Sequence, residues 1–365
     1  HKIDDFNYLN FIGIGSVDEL TVNEPDEFDF ENESQIEQIP IINQRSRTFG
    51  LSWKRLYKNK NGFFNLSISN NRLDNKFERF QNNLSKSNPS FSNISNEDET
   101  KFRFNSNHNT NNYKFSFGGN FQLSNYINTS QYDFYNINYN SKIDFLKYGV
   151  FFKSSKSLIN DRLGISFGVR LDQDNFTLNN NIFENISPRI ALSLKISDDN
   201  KWKLNFASGR YFKVPTYTSL GFKDSTGMFV NKNSKYTRSD HYVGGLEFNW
   251  TESSRFTFEA FYKKYNNYPI SFVDEVSIAN KGAGFEVLGN ERISSEGKGK
   301  SYGLEFLYQQ KLKNNFYGIL SYTFFYSKFS GFDNIYLPSV WDNRHLFSFT
   351  GGYKLKKNWE VSSKI

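Results

Sequence analysis

The chain has no cysteine among its 365 residues. Thiolate zinc sites and cysteine nucleophiles are therefore excluded. The absence suits a protein that crosses an oxidising periplasm, and an AT-rich genome, which the abundance of Asn, Lys, Ile and Phe also suggests, would produce it equally well. No stretch approaches the roughly 18 apolar residues of a transmembrane helix, which excludes helical spans and leaves barrels open. The four histidines, His1, His108, His241 and His345, are scattered without HExxH spacing, and solvated turns or strand ends account for them. No Walker or GxSxG motif occurs, and no carboxylate pair stands out for catalysis, so no enzyme activity and no cofactor are expected. The net charge of +7 is dispersed, without a dense Lys/Arg run. That argues against a nucleic-acid partner and for a polar lumen and solvated turns. No signal peptide precedes His1; an exported protein needs one, so the expectation is that the natural start lies outside this chain.

What the chain has in excess is aromatic: Phe 40, Tyr 22 and Trp 5 make up 18% of it, while hydrophobic residues are only 37% and charged residues 23%. Soluble cores rely mainly on Leu, Val, Ile and Ala. An aromatic excess in a polar chain needs a special surface, and a transmembrane barrel offers one. Its outer face is apolar, its lumen is polar, and aromatic girdles mark both lipid interfaces.

Period-two alternation recurs almost end to end. Tyr242, Gly244, Leu246, Phe248 and Trp250 share one parity, with Val243, Gly245, Glu247 and Asn249 between them. Phe256, Phe258, Ala260 and Tyr262 alternate with Thr257, Glu259, Phe261 and Lys263; Tyr302, Leu304, Phe306 and Tyr308 with Ser301, Gly303, Glu305 and Gln309. Ile190, Leu192 and Leu194 alternate with Arg189 and Lys195 on the other parity. A helix would smear this pattern around its circumference, whereas a strand puts each set on one face. About fifteen such strands are read from the chain.

Connections alternate in length. Short polar turns fall at 58–62, 108–112, 159–162, 197–201, 251–255, 313–315 and 356–358. Longer connections fall between them at 16–45, about 80–98, 130–141, 177–185, 215–236, 271–297 and 331–339. Short periplasmic turns and long extracellular loops are the asymmetry of outer-membrane barrels. No boundary divides the chain, so residues 1–365 read as one partial barrel domain.

The run Ile186-Ser187-Pro188-Arg189 opens a strand, and Gly209-Arg210-Tyr211-Phe212 closes the next, with Pro215 leading into a long loop. Further on come Gly297-Lys298-Gly299-Lys300-Ser301-Tyr302-Gly303-Leu304-Glu305, Trp341-Asp342-Asn343-Arg344-His345 and Trp359-Glu360-Val361. With these elements in this order, the chain resembles the TonB-dependent outer-membrane receptors, particularly those common in Bacteroidetes. Gly299 and Gly303 are expected to admit close neighbours. Trp250, Trp341 and Trp359 are expected at strand ends on the lipid–water interface.

The resemblance implies an all-β, antiparallel barrel of about 22 strands with a plug in its lumen. This chain would supply about fifteen of those strands, as an open sheet cut at both ends. An odd strand count would pair first and last strands in parallel, which single-chain bacterial barrels do not do. It further implies active import of a scarce solute such as a siderophore, vitamin, glycan or peptide across the outer membrane of a Gram-negative bacterium. The partners would be the TonB complex (through a plug not in this chain), outer-membrane lipid and a small-molecule ligand, with a surface lipoprotein left open. A passive porin-like channel is the alternative.

Two groups are candidate ligand contacts. Between residues 16 and 44, Asp18, Glu19, Glu24, Asp26, Glu27, Asp29, Glu31, Glu33 and Glu37 occur without one Lys or Arg. Such a patch attracts cations, although its spacing matches no calcium loop, and solvation of a loop explains it equally. Arg210, Tyr211 and Tyr217 fall near the outer mouth, where a ligand site or an aromatic girdle would use them.

Overall fold

In the computed structural model the described residues are 1–23, 36, 39–59, 61–111, 113–132, 137–178, 181–197, 199, 201–282, 288–356 and 359–365. They form one antiparallel sheet: β1 (Asn7–Leu20), β2 (Ile41–Leu56), β3 (Gly62–Asn82), β4 (Ser87–Thr110), β5 (Tyr113–Tyr132), β6 (Ile137–Leu158), β7 (Leu163–Asp174), β8 (Ser187–Lys195), β9 (Trp202–Lys213), β10 (Thr237–Thr251), β11 (Ser254–Ser271), β12 (Ile293–Lys313), β13 (Phe316–Ser330), β14 (Tyr336–Pro338), β15 (His345–Lys354) and β16 (Glu360–Lys364). Each strand pairs with its neighbours in sequence, except that β13 pairs both β15 and the three-residue β14. The sixteenth strand beyond the expected fifteen is this short β14, which leaves fifteen on the main path. The path keeps the expected odd count, and the sheet stays unclosed among the described residues, with β1 and β16 at its two edges.

Alternation holds across the ladders. Leu246 stands opposite Phe258, Phe258 opposite Phe306, and Phe306 opposite Tyr322, so one rung of four strands is wholly apolar or aromatic. Glu259 stands opposite Glu305 on the other face. Large apolar side chains on the first face have no protein cover: Phe258 is 50% exposed and Phe121 55%. That face is the lipid-facing one, and the polar face is the inner wall.

Tight turns close one end of the hairpins. In the β12–β13 turn Asn314 and Asn315 take φ of 50° and 66°, a left-handed pair that matches the right-handed twist of the flanking strands. Gly303 is required where β12 meets β13, because a Cβ there would lie 2.2 Å from the Phe324 carbonyl oxygen. At Gly299 it would lie 2.3 Å from the Phe329 ring.

The structure departs from the sequence reading at the other end. Residues 80–98 and 130–141 are not loops: the β3–β4 ladder runs out to Asn82↔Ser87, and the β5–β6 ladder to Tyr132↔Ile137. At 20 to 24 residues these four strands far exceed the roughly 9–11 needed to cross a bilayer. Beyond the lipid neither face need be apolar, so the period-two signal fades while the backbone bonds continue. Trp341 is a second correction. It lies in the connection before β15, packs edge-on against Phe329, and donates its indole N–H to Ser327 Oγ at 3.1 Å. Ser327 and Phe329 have the parity of the inner wall, so Trp341 caps the polar face instead of marking the lipid interface.

Candidate functional site at the mouth of the inner wall

The connection from β9 to β10 does not stand away from the sheet. It folds back over the polar face and reaches β4, β5 and β6. Its short helix α1 (Tyr217–Leu220) is capped by Thr216 and buries Leu220 completely. Leu220 packs with Tyr126, Ile143 and Phe145, and Phe176, Val214, Tyr217 and Phe229 complete the cluster. This is an apolar nucleus within an otherwise polar wall, and it holds the connection down by burial.

Tyr217 sits at the boundary between that nucleus and a charged network. Its ring packs edge-on to Phe145 at 5.2 Å between centroids. Its hydroxyl donates to Glu99 and lies 3.0 Å from Ser124 Oγ, while Lys147 Nζ donates to it at 2.7 Å. Gln122 donates to Glu99, and Lys101 and Lys147 bracket the same carboxylate at 2.5 and 3.7 Å. Glu99 is 6% exposed, so its charge is acceptable only because these donors surround it. Burial, and after it the bond to Glu99, push the Tyr217 phenol well above its ordinary range.

Two further connections lock onto the first. Asn231, 1% exposed, donates to the carbonyls of Ser219 and Glu291 at 2.7 and 2.8 Å and accepts from the Ile293 amide at 3.0 Å. The connection before β12 is tied in turn to the one before β15, where the Val340 amide donates to the Ala279 carbonyl at 3.1 Å. Below this cap the inner wall opens into a cleft of about 580 Å³ lined by Arg103, Asn120, Lys153, Arg170, Arg189 and Tyr211, among others. Arg170 is held by Asp172 at 2.5 Å and donates to Asn120 at 2.7 Å. Arg189 instead lies over the Tyr211 ring, its Cζ 4.3 Å from the ring centre, and His241 packs on that ring at 4.6 Å.

The residues singled out from sequence therefore divide. Tyr217 and Tyr211 both face the inner wall, the first in the cap and the second in the cleft below. Arg210, next to Tyr211, has the opposite parity: it stands opposite Asp240 and donates to it at 2.7 Å on the lipid-facing side. Asp26, Glu27, Asp29 and Glu31 lie outside the described residues. Sequence reasoning missed Glu99, Lys147 and Arg189, which sit on three different strands. The one signal available was their charge on the inward parity, shared with many wall residues.

The profile of the family described as "TonB dependent receptor-like, beta-barrel" matches residues 4–364. Among solved structures, the alcaligin outer membrane receptor FauA from Bordetella pertussis aligns at TM-score 0.62 and 12% identity, over 100% of this chain and 57% of that one. The ferric yersiniabactin uptake receptor FyuA from Yersinia pestis aligns at 0.61 and 13%, over 89% and 49%. The ferric-catecholate import receptor Fiu from E. coli K12 aligns at 0.67 and 10%, over 98% and 61%. At such identities the likeness is one of fold, and this chain spans roughly half to three fifths of the length of these three structures. No curated protein matches the sequence.

Proposed function

Because the chain belongs to the TonB-dependent-receptor-like β-barrel family of Gram-negative outer membranes, we propose that it forms most of the wall of a transporter that imports a scarce solute across that membrane, driven through TonB. The observation that carries this reading is the family match along nearly the whole chain. The inner wall supports it: long connections cap the polar face and leave below them a cleft rich in Arg and Lys beside an aromatic ring. Such a cleft suits a ligand with anionic or hydrogen-bonding groups and a flat, polarisable part. Ferric siderophores fit that description, and FyuA and Fiu are receptors for ferric yersiniabactin and ferric catecholate. Tyr211 and Arg189 are the ligand contacts, and Tyr217 holds the cap. Asp26, Glu27, Asp29 and Glu31 would draw cationic or metal-bearing ligands toward the mouth.

The test is uptake in cells that carry or lack the gene, offered a panel of ferric siderophores, cobalamin and oligosaccharides. Accumulation of one of these that needs the gene and stops with a protonophore is the expected result. Gene-dependent entry that persists with the protonophore, together with steady ion conductance in planar bilayers, would instead establish a passive channel.

A further inference from the structure

The lipid-facing side of β10 to β13 carries two consecutive rungs of unusual composition. The lower one is all tyrosine: Tyr242 stands opposite Tyr262, Tyr262 opposite Tyr302, and Tyr302 opposite Tyr326. The next rung toward the long-loop end, two residues along each strand, reads Asp240, Lys264, Lys300, Lys328. Arg210 on β9 extends it on one side, and Arg238 and Lys298 lie one further step out. Six cations thus share two rungs with one carboxylate. That carboxylate is already taken: Asp240 binds Arg210 at 2.7 Å and Arg238 at 3.1 Å. Glu296 is the next acid on this face, beyond Lys298.

The three lysines have no carboxylate partner among the described residues. Lys300 Nζ lies 4.5 Å above the Tyr336 ring and Lys328 Nζ 5.6 Å from the centre of Tyr326. Residues directly opposite in an antiparallel ladder have Cβ atoms about 5 Å apart, and like charges placed so destabilise the pair. Here the penalty is incurred twice in succession, at Lys264↔Lys300 and Lys300↔Lys328. The upper edge of the apolar band is built differently on the other half of the sheet, where the rung Arg47, Arg72, Asp98, Asn125, Asp144 mixes both signs. There Arg72 pairs with Asp74 at 3.0 Å. A polar lipid interface alone does not require three uncompensated charges in line, since the same interface is met elsewhere with balanced ones.

We infer that the Lys264–Lys300–Lys328 rung is a binding site for the phosphate groups of an anionic outer-leaflet lipid. The tyrosine rung fixes the depth. Phenol rings favour the boundary between acyl chains and headgroups. Ammonium groups one rung higher then stand at the level of the headgroup phosphates, and each such cation strengthens association by a further factor. The acyl chains lie along the apolar rungs below, beginning with Gly244, Ala260, Leu304 and Phe324.

The test uses the full-length protein purified in a non-ionic detergent and titrated with bisphosphorylated lipid A, read by native mass spectrometry. Lys264→Gln, Lys300→Gln and Lys328→Gln together should weaken binding on the order of 100-fold, about fivefold for each lysine. Replacing the three by Arg should retain it, which guards against a loss caused by misfolding. Neutralising Arg47, Lys76 and Lys142 on the other half should leave it within about twofold, since they lie outside the site. Dephosphorylated lipid A should bind the wild type as weakly as bisphosphorylated lipid A binds the triple Gln variant. Equal affinity of the wild type and the triple Gln variant overturns the assignment. So does displacement of the lipid by millimolar inorganic phosphate, which would mark a free-anion site.

Discussion

Tyr217, in the connection after β9, hydrogen-bonds Glu99 on β4, 118 residues earlier and five strands away. The bond crosses the polar face of the sheet and pins the cap to the wall. A connection of this length would otherwise be among the more mobile parts of the molecule. Here it has an apolar nucleus under it and a buried charge at its tip.

Removing that hydroxyl should free the cap. Tyr217→Phe keeps the ring against Phe145 but deprives Glu99 of a donor. The cap should lose about 1.5–3 kcal/mol, the usual range for a bond to a charged group. Hydrogen exchange of the amides in 214–236 should accelerate by roughly one to two orders of magnitude, while those of β10 and β11 stay protected. Unchanged exchange in the cap would remove Tyr217 from this role.

The same bond sets a pH window. The phenol is raised above its ordinary value of about 10 by burial and by Glu99. A group whose folded pKa is raised contributes its full stability below its unfolded value and loses it as pH climbs toward the folded one. The Tyr217 contribution should therefore be constant from pH 6 to 9 and decline only above about 10. Absorbance titration should show, in the wild type alone, a phenolate step above the ordinary tyrosine value of about 10 that Tyr217→Phe lacks.

Asn231 joins two connections through three hydrogen bonds and is almost fully buried. Asn231→Ala leaves the carbonyls of Ser219 and Glu291 and the amide of Ile293 without their partner. Each such loss costs about 1–3 kcal/mol. Proteolysis should then cut within both 214–236 and 272–292, whereas Tyr217→Phe should expose the first of these alone.

Phe258 and Glu259 are neighbours on β11 with opposite facing. Arginine at Phe258 should cost roughly 2–4 kcal/mol in a bilayer, and arginine at Glu259, on the inner wall, much less. Reversible guanidinium unfolding in lipid vesicles measures both. Equal costs would contradict the assignment of faces.

Sidedness can be read with single engineered cysteines, since residues 1–365 contain none of their own. An impermeant maleimide on intact cells should label Thr226→Cys, in the cap, and leave Glu252→Cys, in the β10–β11 turn, unlabelled until the outer membrane is permeabilised. The reverse pattern would invert the sheet.

The sequence by itself determined the strand class, the two faces and the short turns at one end of the hairpins. A residue's facing depends only on its parity along the strand, and lipid on one side with water on the other imposes that parity within the bilayer. Leu246, Phe258 and Glu259 were legible for that reason. Outside the bilayer the constraint lapses, so the reach of β3 to β6 and the inward turn of Trp341 were not legible. The tertiary structure alone decided which residues meet. Glu99, Lys147 and Tyr217 converge because one connection folds over four intervening strands, and no local pattern encodes that crossing. Arg210 and Tyr211 separate because adjacent strand residues point to opposite faces. The alignment of Lys264, Lys300 and Lys328 is a matter of register, which the backbone ladders fix and the spacing of three separate strands along the chain does not express.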